Sequence, residues 1–397
     1  MDRGYAYKVN KRLIFLFLSV VIINIKVKAQ IYTENSSDGS ITITPKGLRG
    51  KENNLNNVNL GLGSNILSSN TDGINNIGIG FYALTRNTTG NNNVGIGRLA
   101  LYSNTVGKEN VAIGNSSLGV NTTGGQNTAV GYNSLYANST GYQNTVIGSW
   151  ALVNNSSGYY NTASGNGALF YNTTGYRNSA IGHQSLFANT TGNNNIAIGT
   201  GSGSFITIGN NNVFLGDNAN TTVNNINNSI AIGANTTVDA SNKIRLGNSN
   251  ITVIEGQVAY SYPSDGRFKN NIKEDIKGLD FITRLRPVSY NFDTQAFDKF
   301  TNGDESSQEA DFSFSKSIKH SGFIAQEVEK AMIETGYDFD GITIPKDKNQ
   351  TYSLSYSQFV VPLVKAVQEQ QVMIEVLKEE TKQLLNLITD LKNQLKK

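Results

Sequence analysis

Between residues 59 and 250 the apolar positions follow neither a long strand nor a helix; they recur every 17 residues. The segments "NVAIGNSSLGVNTTGGQ" and "NTAVGYNSLYANSTGYQ" share one frame. In that frame Asn76, Asn93, Asn110, Asn127, Asn144, Asn161, Asn178 and Asn195 each fall 17 residues apart. The glycine four residues on keeps the interval from Gly63 through Gly131 to Gly216. A leucine column runs from Leu84 to Leu186, and a second glycine column from Gly90 to Gly192. Columns in register over this length define a repeat architecture.

Each unit offers a short strand such as "NTAVG", a tight bend, a second apolar patch at "SLY" or "ALF", and an "NTTG" turn. Asn and Gly tolerate positive φ and so suit bends at fixed places in every coil. In "NVAIG", Val111 and Ile113 take one side of a strand and Ala112 the other. The expectation is that one face fills the coil and the Ala or Gly face lies close to a neighbouring sheet. A lone unit has no way to bury its apolar side, so units stack into a quasi-one-dimensional β-solenoid or β-roll. Stacked Asn side chains are expected to form amide ladders that hold the register.

The beat weakens after "SIAIGANTTV", and "NKIRLGNSNITVIEGQVAY" reads as closing strands. Beyond it Lys, Glu, Asp and aliphatic residues mix. Ile276, Leu279, Ile282 and Leu285 have helical spacing, "RPVSYNFD" alternates as a strand, and "HSGFIAQEVEKAMIE" reads as a strand entering a helix. Thr294 to Lys319, acidic at its centre, reads as an exposed insertion. From about Ser355 a long amphipathic helix places Val360, Val364, Val367, Gln371 and Ile374 on one seam. Leu377, Thr381, Leu384, Ile388, Leu391 and Leu395 resume it after a three-residue hitch, which locally overwinds a coiled coil.

Composition narrows the chemistry. Hydrophobic residues are 38% and charged residues 16% of the 397, low for an ordinary globular chain. A net charge of +3, with few charges in the repeats, gives no basic stripe for nucleic acid. The chain has no cysteine, which excludes disulfides and thiolate metal sites, and its two histidines, His183 and His320, do not suggest a metal centre. No cofactor is expected; "GTGSGS" at 199–204 lacks the lysine and the strand–helix setting of a nucleotide loop. Lys8, Lys11 and Arg12 ahead of "LIFLFLSVVIINI", then Val27 and Ala29 as small residues, read as an export signal cut before Gln30. The apolar run is short for a membrane anchor, so no stable insertion is expected once the signal is removed.

The repeats resemble the head domains of trimeric autotransporter adhesins, whose coils carry a similar "N-x-x-A-I-G" strand. That resemblance covers roughly residues 59–250 and implies a parallel trimeric fibre segment. The stretches "SDGRFKNNI", "LRPVSYNF", "GFIAQEVEK" and "FVVPLVKAVQEQQ", in this order to the end of the chain, resemble a second family. This is the C-terminal intramolecular chaperone domain of endosialidase-type phage tailspikes and tail fibres, a self-cleaving serine peptidase family. The resemblance implies a domain that trimerises, guides folding of the β-rich fibre before it, and releases itself by cutting ahead of a serine. Carried onto this chain, Ser264 is the nucleophile, Lys269 its base, and Pro263–Ser264 the bond cut.

The residues allow that chemistry on their own terms. A serine needs an adjacent base, and a lysine serves only when neutral, with its pKa several units below about 10.4. Arg267 and Lys273 are candidate sources of the positive charge that lowers it. On an extended strand Lys269 points away from Ser264; a turn at "SDG" brings them together and offers backbone N–H groups to an oxyanion. His320 and Glu327 read as a strand-end histidine and a solvated helix face.

The fold class expected is mainly β: a 17-residue-repeat solenoid, then a small α+β chaperone domain ending in a long coiled-coil helix. The divisions are a signal peptide at 1–29, a lead-in at 30–58, repeats at 59–250, a neck at 251–263, the chaperone and autopeptidase domain at 264–354, and the helix at 355–397. The function expected is an exported bacterial fibre or adhesin-like protein, secreted or held at the cell surface. It is a homotrimer through repeats and helix, with an unknown surface ligand or glycan. The alternatives are an uncleaved trimeric stalk and a phage-derived tail fibre.

Overall fold

The computed structural model describes residues 59–258, 261–302, 312–348 and 350–395. The signal, its cut, the lead-in 30–58 and the acidic centre of the insertion lie outside the described residues. Strands β1 to β10 begin with Leu60–Leu62 and Ile77–Ile79 and continue every 17 residues to Val213–Leu215. β11 (Asn220–Thr221), β12 (Ile230–Ile232), β13 (Thr237–Val238) and β14 (Ile244–Leu246) finish the rod. β1–β10, β12 and β14 form one 12-stranded parallel sheet, and β11 pairs with β13. The register is one repeat, as in Val111↔Thr128, until the last pair shortens to Ile230↔Ile244. The expected solenoid is therefore present, with about 11 turns over residues 60–246.

The faces of the strand are reversed from the sequence reading. Ala112, Ala129, Ala163, Ala180 and Ala197 point into the coil and are fully buried against the leucine column. The aliphatic flanks face outward, with Ile113 38% and Ile147 50% exposed. The reason is room. The interior holds one leucine from the bend and one small side chain from the strand, so the bulkier pair is excluded. The seven leucines from Leu84 to Leu186 reach that interior only by adopting φ between 48° and 53°. A left-handed residue costs about 1–2 kcal/mol, whereas burying leucine returns about 1.5–3 kcal/mol; burial decides the conformation.

Buried asparagines tie the coils together. Asn127 donates Nδ2 to the Gly141 carbonyl at 2.9 Å, while its Oδ1 accepts from the Asn144 backbone N–H at 3.0 Å. A second ladder, absent from the sequence reading, runs through Asn87, Asn104, Asn121 and Asn138 to Asn189. Each Nδ2 in it donates to the preceding Oδ1. Ile206 stands where the next member would donate, and Asn189 Oδ1 is left buried without a partner. The threonine after the ladder asparagine is also engaged: Thr105 of "NTVG" and Thr122 of "NTTG" donate to carbonyls one coil on, at 3.0 Å each. The glycine after the strand is obligatory. At Gly131 φ is 132°, and an added Cβ would lie 2.6 Å from the Gly148 oxygen.

Beyond the rod, helix α1 (Leu279–Ile282) is shorter than its spacing suggested. It is followed by β15 (Val288–Asn291), α2 (Thr294–Asn302), α3 (Ser313–Ser317), β16 (Lys319–Gly322), α4 (Ala325–Thr335), β17 (Ile342–Thr343), β18 (Ser353–Leu354) and α5 (Val360–Gln394). β15 and β16 pair antiparallel, as do β17 and β18. Phe281, Val328, Ala331, Phe339 and Phe359 form the core, and Phe339 and Phe359 meet edge to face at 4.7 Å. Gly278 allows α1 to approach α5, since a Cβ there would sit 2.7 Å from the Ala366 nitrogen. Glu369 then accepts from the Leu279 N–H at 2.7 Å and caps α1. The described flanks of the expected exposed insertion form two helices instead, with Thr294, Asp298, Thr301, Phe312 and Ser315 buried. Every α5 residue from 370 onward is exposed, including the seam residues Ile374, Leu377, Leu384, Ile388 and Leu391.

One coil exchanges volumes. Phe214 occupies the alanine position of its strand, and Gly203 occupies the leucine position, where an added Cβ would be 2.8 Å from the Phe214 ring. Gly203 already has φ +61, near that of the leucine column. Phe214→Ala is expected to cost about 3–5 kcal/mol by cavity formation, and Gly203→Leu alone to destabilise by overpacking. Together they should recover most of the loss. Denaturant unfolding of the two single variants and the double is the measurement; additive losses would show that the exchange is not a packing compensation.

Candidate functional site

At "SDG" the chain turns. Asp265 caps a single 3₁₀ turn, Gly266–Phe268, by accepting from the Arg267 N–H at 2.9 Å. The Phe268 N–H donates to the Asp265 carbonyl and the Lys269 N–H to the Gly266 carbonyl, which closes the bend. Lys269 resumes extended geometry at φ −98°, ψ 120°, on the same side as Ser264. Its Nζ donates to Ser264 Oγ at 2.7 Å. Of the two geometries open to the sequence, the turn is the one adopted. Ser264 and Lys269 are therefore in direct contact across five residues of chain.

The charges around the pair differ from expectation. The Arg267 guanidinium folds back on Asp265, with Nε at 2.9 Å and Nη2 at 2.6 Å from Oδ2. That side-chain hydrogen bond raises the Arg267 pKa, and with the backbone bond from Arg267 it lowers the Asp265 pKa below the ordinary carboxylate value. Arg267 is thus compensated by Asp265 and adds little net positive potential at Lys269. The turn also spends its own donors: the N–H groups of Arg267, Phe268 and Lys269 are used inside it. They are not offered to an oxyanion. The pair is in water, and nearby Tyr262, Phe268 and Ile272 are each more than 70% exposed.

The other site candidates lie elsewhere. His320 is opposite Tyr290 in the antiparallel β15–β16 pair and stacks on it at 5.7 Å. It lines a cleft of about 230 Å³ with Ser249, Ile251, Phe292, Phe297 and Ile318. Ser264 and Lys269 do not line that cleft. Glu327 is not a merely solvated carboxylate; it pairs with Arg286 and joins α4 to the chain entering β15. The cap from Glu369 onto α1, ninety residues away in sequence, carried no local signal.

Asp265 has a lowered folded-state pKa, so its contribution to the turn is present above its unfolded pKa and is lost as pH falls through the folded value. The Arg267 amide proton, followed by NMR, should shift with a midpoint below the ordinary carboxylate value. Asp265→Asn keeps an acceptor for that N–H and should hold the turn without the titration, whereas Asp265→Ala should lose both. A midpoint at the unperturbed value would show that the ion pair is not formed in solution.

Residues 264–337 match the family model described as the chaperone of endosialidase, and the match begins at Ser264. No curated protein and no solved structure matches the chain. Behind the β-solenoid, then, the chain has a region similar to the chaperone of endosialidase.

Proposed function

We propose that this protein is an exported, trimeric fibre whose C-terminal region assembles the rod and then cuts itself free at Pro263–Ser264. The observation that carries the reading is the 2.7 Å contact between Lys269 Nζ and Ser264 Oγ at the first residue of the matched region. The proton on that contact is the lysine's. For catalysis the direction reverses: neutral Lys269 accepts the Ser264 hydroxyl proton, and Oγ attacks the Pro263 carbonyl carbon. The C–N bond to Ser264 breaks, Lys269 returns the proton to the departing α-amine, and an ester links Pro263 to Oγ. Water hydrolyses that ester, so the net change is addition of one water across the peptide bond.

Keeping water from a lysine favours its neutral form, and a single chain leaves this lysine in the open. Assembly supplies the missing cover. Two apolar features of the single chain support three copies in parallel. The outward isoleucines, Ile96, Ile113, Ile147, Ile181, Ile198 and Ile232, form one line along the rod. The exposed seam of α5 is the second. A partner that complements a repeat of 17 over its whole length is most simply the same repeat. Scission then follows trimerisation, because the dyad becomes active when neighbouring copies desolvate it. The second reading, an uncut trimeric clamp, rests on the same surfaces and on the solvent around the dyad.

Mass spectrometry of purified protein separates the two. A fragment 264–397, absent in Ser264→Ala and in Lys269→Met, is the expected result; an intact chain under all conditions leaves the uncut clamp. Mixed trimers of Ser264→Ala and Lys269→Ala chains test contribution across subunits, and failure of every mixture to cut would restrict the dyad to one chain.

Light scattering should give three times the chain mass. Ile374→Lys with Leu384→Lys should reduce it to one chain and abolish cutting. Trimers that survive those changes would remove α5 from the interface.

A further inference from the structure

We infer that α2 is a latch on the end of the rod, so that scission at the neck does not by itself release the C-terminal region. The last coil carries a buried carboxylate, Asp239, 3% exposed. Lys243 Nζ holds one oxygen at 2.8 Å. The other, Oδ2, has no hydrogen-bond partner and faces Arg245 Nη2 at 3.7 Å. The same guanidinium lies over the Phe297 ring of α2, 5.7 Å from its centroid. One residue further round the helix, Asp298 is buried and accepts from Ser249 Oγ at 3.3 Å. Thr301, a turn on, is buried and lines a narrow cleft of about 160 Å³ with Arg245, Gly247 and Ser249. Thr294, Phe297, Asp298 and Thr301 fall at i, i+3, i+4 and i+7, so one face of α2 lies on the coil.

One physical need is met by this contact. A coil closed around an incompletely satisfied carboxylate gains from a guanidinium held in place on its other side by an aromatic face. Arg245 is the middle of that chain of contacts, and it is in position only when the terminal coil has formed. The latch therefore engages a finished rod end and not an unfolded one. This inference deepens the chaperone reading, yet it does not require self-cutting.

The test uses the full chain with a foreign protease site placed in 259–262 and with Ser264→Ala, so that the cut is made at will. After digestion the wild-type junction should keep residues 264–397 with the rod through gel filtration. Phe297→Ala should speed release by about tenfold or more, and Phe297→Trp, which keeps an aromatic face, should restore retention. The thermal melt of the rod is recorded for each variant, because a junction effect leaves it folded. Immediate separation of the cut wild-type pieces overturns the latch. Equal retention by Phe297→Ala and wild type overturns the role given to Phe297 and Arg245.

Discussion

Every coil of the rod depends on backbone and amide groups supplied by the next. Three-residue strands are too short to be stable alone, and the bends between them are full of left-handed residues. What holds them is that each strand pairs in parallel with the strand 17 residues on, while the asparagine beside it bridges both coils. A buried amide left without its partners costs about 1–3 kcal/mol per group, so a coil that leaves register loses several such terms together. The rod is cooperative along its axis for this reason. The coil with nothing beyond it is the weakest.

That weakness explains where the chain puts its departures from the repeat. At the end, the register shortens from 17 to 14 between β12 and β14. There the core carries Asp239, Lys243 and Arg245 in place of another layer of alanine and leucine. Charged groups resist further stacking, and α2 lies over them. The same residues that stop the solenoid thus provide the surface on which the next region rests.

Much of this was legible in the sequence, and the failures are informative. The columns fixed at Asn76, Gly63 and Leu84 announced coils because asparagine ladders and positive-φ glycines need strict spacing. The turn at Asp265–Gly266 was legible for the same local reason. The orientation of the strand was not. Hydrophobic patterning alone sends Val111 and Ile113 inward, and only the volume taken by a leucine in left-handed geometry sends them out. The helices of 294–317 were hidden by polar composition, since the groups that bury their polar face, Ser249 against Asp298 and Ser315 against Thr294, lie 21 to 49 residues away in sequence. Arg267 was read as free charge because its pairing with Asp265 depends on the turn itself.

Repetition carries a hazard for the trimer proposed above. If one copy of the rod slid against its neighbour by a whole coil, outward Ile would still meet outward Ile almost everywhere. Such a slip would be nearly silent in energy, penalised only where the outward column changes, as at Ser164. One changed position is a weak guarantor of register during folding, when most of the columns are still unformed. A non-repeating element at one end solves the problem, because α5 has a single seam interrupted once by a three-residue hitch and so a single good alignment. In the proposed trimer, three tails aligned first would start each rod from its last coil in the right register. A cut at Pro263–Ser264 after that point, as proposed, would leave each closed rod held by its own amide ladders.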